Sequence, residues 1–225
     1  MTGVQTCALP ISDLTALLQR VDVVRLAQET EDRCRELLEI DTPIDVVLMV
    51  GVGAANAGEL VVGGRGIAFV CLEHFTSVTN PDTRSLGLDP ELLPMWLAHE
   101  IAHCVRYTSL RSRSEMRDLV AEAGGYYSYW ETGRRATLRE HLVNEGLVVQ
   151  AARAFSPGHA PWEYFGYARK QYTRIRELEA VLSRAVADDL EVPHVRLDLA
   201  THPREMARLA RVEPVAAPQI GRAHV

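Results

Sequence analysis

The stretch His99-Glu100-Ile101-Ala102-His103 sets two histidines four residues apart, with a glutamate directly after the first. On an α-helix, positions i and i+4 share a face one turn apart, so both imidazoles can reach one metal ion. Glu100 then stands beside the metal, where it can take a proton from water held there. The flanking residues predict such a helix. Asp89-Pro90 supplies an N-cap followed by proline at the first helical position. From Glu91 to about Tyr107 the only further break is Pro94, still in the opening turns. Leu92, Trp96, His99, His103 and Tyr107 recur at helical spacing, which places both histidines in the stripe that faces the interior. The alternative for the same residues is a core helix with two hydrogen-bonded histidines.

A catalytic zinc takes three protein ligands and keeps a fourth position open. Position 109, where a metzincin would carry a third histidine, is a serine, and no Gly-Thr-x-Asp-like segment comes after the helix. The chain instead offers Glu140-His141-Leu142-Val143-Asn144-Glu145-Gly146-Leu147. Leu138, Leu142, Glu145, Val149 and Ala152 form a 4-3-4-3 stripe, so Glu145 is expected on the apolar face of a helix from about Arg135 to Phe155. A lone buried carboxylate is costly without a cation. A zinc on His99 and His103 would supply one, which makes Glu145 the third ligand and His141, one turn away, the substitute. The competing reading is a rim glutamate paired with Arg139 or Arg153.

With these residues the chain resembles the gluzincin group of zinc peptidases, which pair HExxH with a glutamate on a later helix. More narrowly, it is similar to a bacterial family of predicted zinc-dependent proteases carrying HExxH and then a Glu-Gly-Leu-Ala-like motif. Here that motif is Asn144-Glu145-Gly146-Leu147-Val148, with valine in place of alanine. The resemblance runs from about Ile67 to Leu190. It implies an α+β fold, with a small antiparallel sheet packed on a mainly helical zincin-type catalytic domain. It also implies Zn²⁺ as cofactor and hydrolysis of peptide bonds in a peptide or protein substrate. Thermolysin-like members place an acid four residues after the glutamate ligand, and here that residue is Val149. The acid that orients a histidine must come from elsewhere, with Asp118 and Glu122 as candidates.

The expected chemistry has His99, His103 and Glu145 as metal ligands and Glu100 as the catalytic base, which returns its proton to the leaving amine. By resemblance, an edge strand from Ile67 to Leu72 would bind the substrate backbone by strand addition. Tyr164, Tyr167 and His159 are candidates for the donor that stabilises the oxyanion. Two other classes stay open: a non-catalytic zinc-binding module, and a helical partner-binding protein in which Glu145 would be remote from His99.

The two ends read as foreign. Residues 1–11 back-translate to a string whose reverse complement spells Ile220-Gly221-Arg222-Ala223-His224-Val225 and then a stop. One oligonucleotide read in opposite orientations accounts for both, as a leftover sequencing adapter would. Residues 1–11 and 220–225 are therefore expected to be artefact. Residues 12–219 are expected to form one zincin-like catalytic domain with an N-terminal helical segment, with truncation open at both ends.

A net charge of −6 argues against nucleic acid as the main partner, and Arg111, Arg113, Arg134, Arg135 and Arg139 read as a solvated surface. The longest apolar run, Val46 to Gly58, is too short and glycine-rich to span a bilayer. Cys34, Cys71 and Cys104 form no CxxC pair and are expected as buried thiols. Helices are expected from Ser12 to about Glu39, a strand from Ile44 to Val50, and a hairpin turning at Gly63-Gly64. After the histidine helix the reading is helical: Ser114 to Ala123, Arg135 to Phe155 and Trp162 to about Asp189.

Overall fold

The computed structural model describes residues 9–51, 55–80 and 85–193. The chain opens with helices α1 (Leu9–Arg20) and α2 (Val23–Leu37). The Asp22 side chain accepts from the Arg25 amide and so starts α2 afresh. Leu9–Ile11 continue α1 at its N-terminal end, whereas residues 220–225 lie outside the described residues.

Next come three strands: β1 (Ile44–Met49), β2 (Ala57–Val62) and β3 (Arg65–Cys71). Gly63 and Gly64 have φ of 59° and 76°, the left-handed pair that a two-residue hairpin turn requires. The hairpin is antiparallel as expected, and β1 adds parallel to β3, so the sheet is mixed with order β1-β3-β2. This corrects one expectation. Ile67 to Cys71 lie in the central strand, both of whose edges are taken, and Leu72 begins a 3-10 turn. The edge strands are β1 and β2. A short pair, β4 (Thr79–Asn80) and β5 (Ser85–Leu86), leads to the histidine helix.

Helix α3 (Leu93–Thr108) is preceded by a 3-10 turn over Pro90–Leu92, capped by Asp89, whose carboxylate accepts from the Glu91 amide at 2.9 Å. It lies across the sheet, with Cys104 against Gly66 of β3. Leu92, Trp96, His99, His103 and Tyr107 are all buried, so the interior stripe is in the expected phase. Then come α4 (Glu115–Glu122), capped by Ser114, and α5 (Leu138–Phe155), capped by Thr137. The expected last helix is interrupted. Gly166 takes a left-handed φ of 64° after a 3-10 turn, and α6 (Arg169–Val186) starts beyond it.

The main core gathers Leu17, Ala27, Val70, Phe75, Leu97, Ile101 and Phe155 between the N-terminal helices, the sheet, α3 and α5. A second cluster, including Val61, Tyr107, Met116, Val120 and Tyr127, ties α4 and the loop after it to the sheet and α3. Cys34, Cys71 and Cys104 are free and buried, and burial pushes the Cys34 and Cys71 thiols up to about 12. The result is an α+β fold in which one helix, α3, touches the sheet on one side and α5 on another. No helix among the described residues is long and apolar enough to cross a membrane.

Candidate metal centre

The two histidines and Glu145 come together from different helices. The Nε2 atoms of His99 and His103 are 3.2 Å apart. Glu145, from α5, brings one carboxyl oxygen to 3.8 Å from His99 Nε2 and the other to 3.7 Å from His103 Nε2. An ion about 2.1 Å from each of three tetrahedral ligands sets those ligand atoms about 3.4 Å apart. The observed separations lie close to that edge length, so these side chains could hold a metal. Ligand atoms of His99, Glu100 and His103 also lie within 4.8 Å of one another.

Glu100 is fully buried, and no donor reaches either of its carboxyl oxygens. Burial first, then the charges of Glu59 and Glu145, push its carboxyl well above the usual carboxylate range. Glu59 lies within hydrogen-bonding reach of it, and that contact forms when one of the two carboxyls carries a proton. The carboxyl of Glu145 is pushed up to about 8, first by the water its protein surroundings exclude and then by the charge of Glu59, although its side chain is 45% exposed. Three carboxyl groups thus gather round two imidazoles, an arrangement that a cation would relieve.

The face of α5 differs from the one expected. Its buried positions are Glu140, Asn144, Val148, Val149, Ala152 and Phe155, whereas Leu142 is 50% exposed. The helix is rotated because its inner face carries polar residues with partners. Arg106 of α3 donates from Nη2 to Glu140 at 2.6 Å and from Nε to Asn144 Oδ1 at 2.9 Å. Glu145 sits at the rim of that face, not at its centre. It does not pair with Arg139, which binds Glu191, or with Arg153, which lies over the Tyr164 ring. His141 is turned to the Gly133 carbonyl and is not brought to the two histidines.

Other expectations are corrected too. Asp118 is exposed beside Arg117, and Glu122 pairs with Arg135, so neither orients a histidine. Tyr164 is buried and donates to the Ser156 carbonyl, and His159 contacts Ser156 and Glu163. Both are committed to the loop after α5. Tyr167 is different: burial and then the Glu145 charge raise its hydroxyl, and burial and the Glu145 charge, against that of Arg134, also raise the hydroxyl of Tyr129 from the loop after α4.

The residues that spacing did not reveal lie beneath the histidines. His103 Nδ1 is 2.9 Å from Asn144 Nδ2 and 3.3 Å from Tyr107 Oη. Tyr107 donates to Glu59 Oε1 at 3.1 Å. Glu59 stands on β2, where it reads in sequence as an ordinary strand residue. The one available signal was Tyr107, four residues after His103 on the interior stripe. No family model, curated protein or solved structure matches the chain.

Proposed function

We propose that the chain is a zinc-dependent peptidase, with His99, His103 and Glu145 as metal ligands and Glu100 as the proton-transferring base. The observation that carries this reading is the meeting of two imidazoles and a carboxylate from separate helices at 3.2, 3.7 and 3.8 Å. The donor set fits zinc, which takes nitrogen and carboxylate oxygen ligands in tetrahedral sites. When bound, zinc supplies Lewis acidity, polarising the scissile carbonyl and acidifying water.

The protein's own groups do the rest. Glu100 is one residue from His99 and its carboxyl oxygens meet no donor other than a protonated Glu59, so once a bound cation keeps it ionised it can accept the proton of attacking water and return it to the leaving amine. An extended substrate would add to β2, the edge strand beside the centre. Val61 of that edge is already bridged to Tyr127, which confines addition to the Ala57 end. Among the tyrosines expected to stabilise an oxyanion, Tyr167 is the one whose surroundings include Glu145.

Glu100→Gln tests the mechanism. It keeps size and hydrogen-bonding capacity but removes the proton acceptor. Zinc should remain near stoichiometric by metal analysis, while cleavage of a peptide library should fall by roughly 10² or more. His103→Ala should lose both metal and cleavage. Full activity in Glu100→Gln would exclude the base role. A zinc-loaded wild type that cleaves nothing would leave a metal-binding, non-catalytic protein.

A further inference from the structure

Histidine ligands are oriented by whatever accepts the hydrogen on the ring nitrogen away from the metal. In this chain the nearest group to that nitrogen of His103 has the wrong polarity. Asn144 presents its amide nitrogen, 2.9 Å from Nδ1, and an amide nitrogen only donates. Its orientation is fixed from behind. The Asn144 oxygen accepts from Arg106 Nε at 2.9 Å, and Arg106 is held by Glu140 at 2.6 Å. Turning the amide over would set its NH₂ against the Arg106 N–H and leave both donors unsatisfied.

Nε2 of His103 is the nitrogen that faces His99 and Glu145. A neutral imidazole that binds a metal through Nε2 carries its hydrogen on Nδ1. That hydrogen needs an oxygen. Tyr107 Oη lies at 3.3 Å from Nδ1, and it also receives Asn144 Nδ2 at 2.8 Å, which matches the two lone pairs of a hydroxyl. Its own hydrogen goes to Glu59 Oε1 at 3.1 Å, on the side where Tyr127 also reaches both Tyr107 and Glu59.

We propose that Tyr107, backed by Glu59, and not Asn144, accepts the Nδ1–H of His103 when His103 holds the metal. This rests on reading His103 as a ligand. Glu59 then acts through the tyrosine as the acid that orients the histidine, and Asn144 serves to position the hydroxyl. Tyr107 and Glu59 are positioning residues that set metal affinity. In the metal-free protein, Nδ1 accepts from Asn144 instead, and Nε2–H points at His99. Loading therefore moves one hydrogen from Nε2 to Nδ1 of the same ring, with no net change in proton number.

The test is zinc affinity of the full chain by chelator competition, with cobalt(II) absorption as a second view of the ligand field. Tyr107→Phe keeps the ring but removes the acceptor, and should weaken zinc by roughly 10- to 100-fold. Glu59→Gln, at a half-buried strand position, should shift affinity in the same direction. Adding Asn144→Asp to Tyr107→Phe should restore most of the loss, because a carboxylate can accept from Arg106 and from Nδ1–H together. Melting of the metal-free variants separates affinity from general loosening. If Tyr107→Phe and Glu59→Gln bind zinc as the wild type does, the inference is overturned while the proposed function stands. Failure of Asn144→Asp to restore binding would overturn it also. A wild type that binds no zinc overturns the proposed function and this inference with it.

Discussion

Arg106 and Glu140 are 18% and 10% exposed, and they meet at 2.6 Å behind the two histidines. Removing one member of a buried pair leaves an uncompensated charge, at a cost of about 3–5 kcal/mol. Arg106→Met should therefore destabilise the protein by about 3 kcal/mol or more in urea unfolding, since Asn144 Oδ1 is orphaned as well. The exposed pair Arg174–Glu177 is the control, and Arg174→Met should change stability by less than about 1 kcal/mol. Equal losses would mean that the buried pair has no special weight. At this scale the sequence was legible where chemistry and spacing coincide: His99, Glu100 and His103 stand at helical intervals. Glu145 lies at the rim of the buried face and not on it, which the stripe does not show, because apolar periodicity cannot register a helix face that buries Glu140 and Asn144 against an arginine. Glu59 gave no local signal, since its neighbours are set by the crossing of β2 and α3.

Elements matter here through how closely α3 approaches the sheet. A Cβ added at Gly66 of β3 would stand 2.7 Å from Cys104 Cβ and 3.3 Å from Ile44 Cγ1. The first of these belongs to α3, one residue past His103, and cannot swing aside as the end of a long side chain could. Gly66→Ala should therefore push helix and sheet apart and cost about 1–3 kcal/mol, read as a lower urea midpoint with an unchanged slope. If stability is unaffected, the close approach is not tight. The turn glycines Gly63 and Gly64 were readable as a hairpin because only their backbone mattered. Gly66 was not, since its reason lies in a helix nearly forty residues away. The central place of β3 was hidden for a similar reason: β1 pairs with it in parallel although β2 comes between them in sequence, a pairing that no local pattern encodes.

At the scale of the molecule, the candidate centre lies between α3 and α5. α3 packs its apolar face on the sheet, and α5 packs Val149, Ala152 and Phe155 into the same core while reaching the site through Glu145 and the Arg106 network. A metal held by His99, His103 and Glu145 would bind only the state in which both helices are in place. It would then stabilise the fold by mass action, about 4 kcal/mol at a free concentration near a thousand times the dissociation constant. For a chain of this size each kcal/mol raises the melting temperature by about 2–4 °C. Zinc added to chelator-treated protein should accordingly raise the melting temperature by about 8–16 °C under those conditions. Glu100→Gln should keep the shift, since Glu100 is not proposed as a ligand. His103→Ala should abolish it. Glu145→Ala is the most informative of the three, because it leaves both histidines of α3 in place and removes only the tie to α5. If that variant shows the full wild-type shift, the metal is held by α3 alone and α5 has no part in the centre.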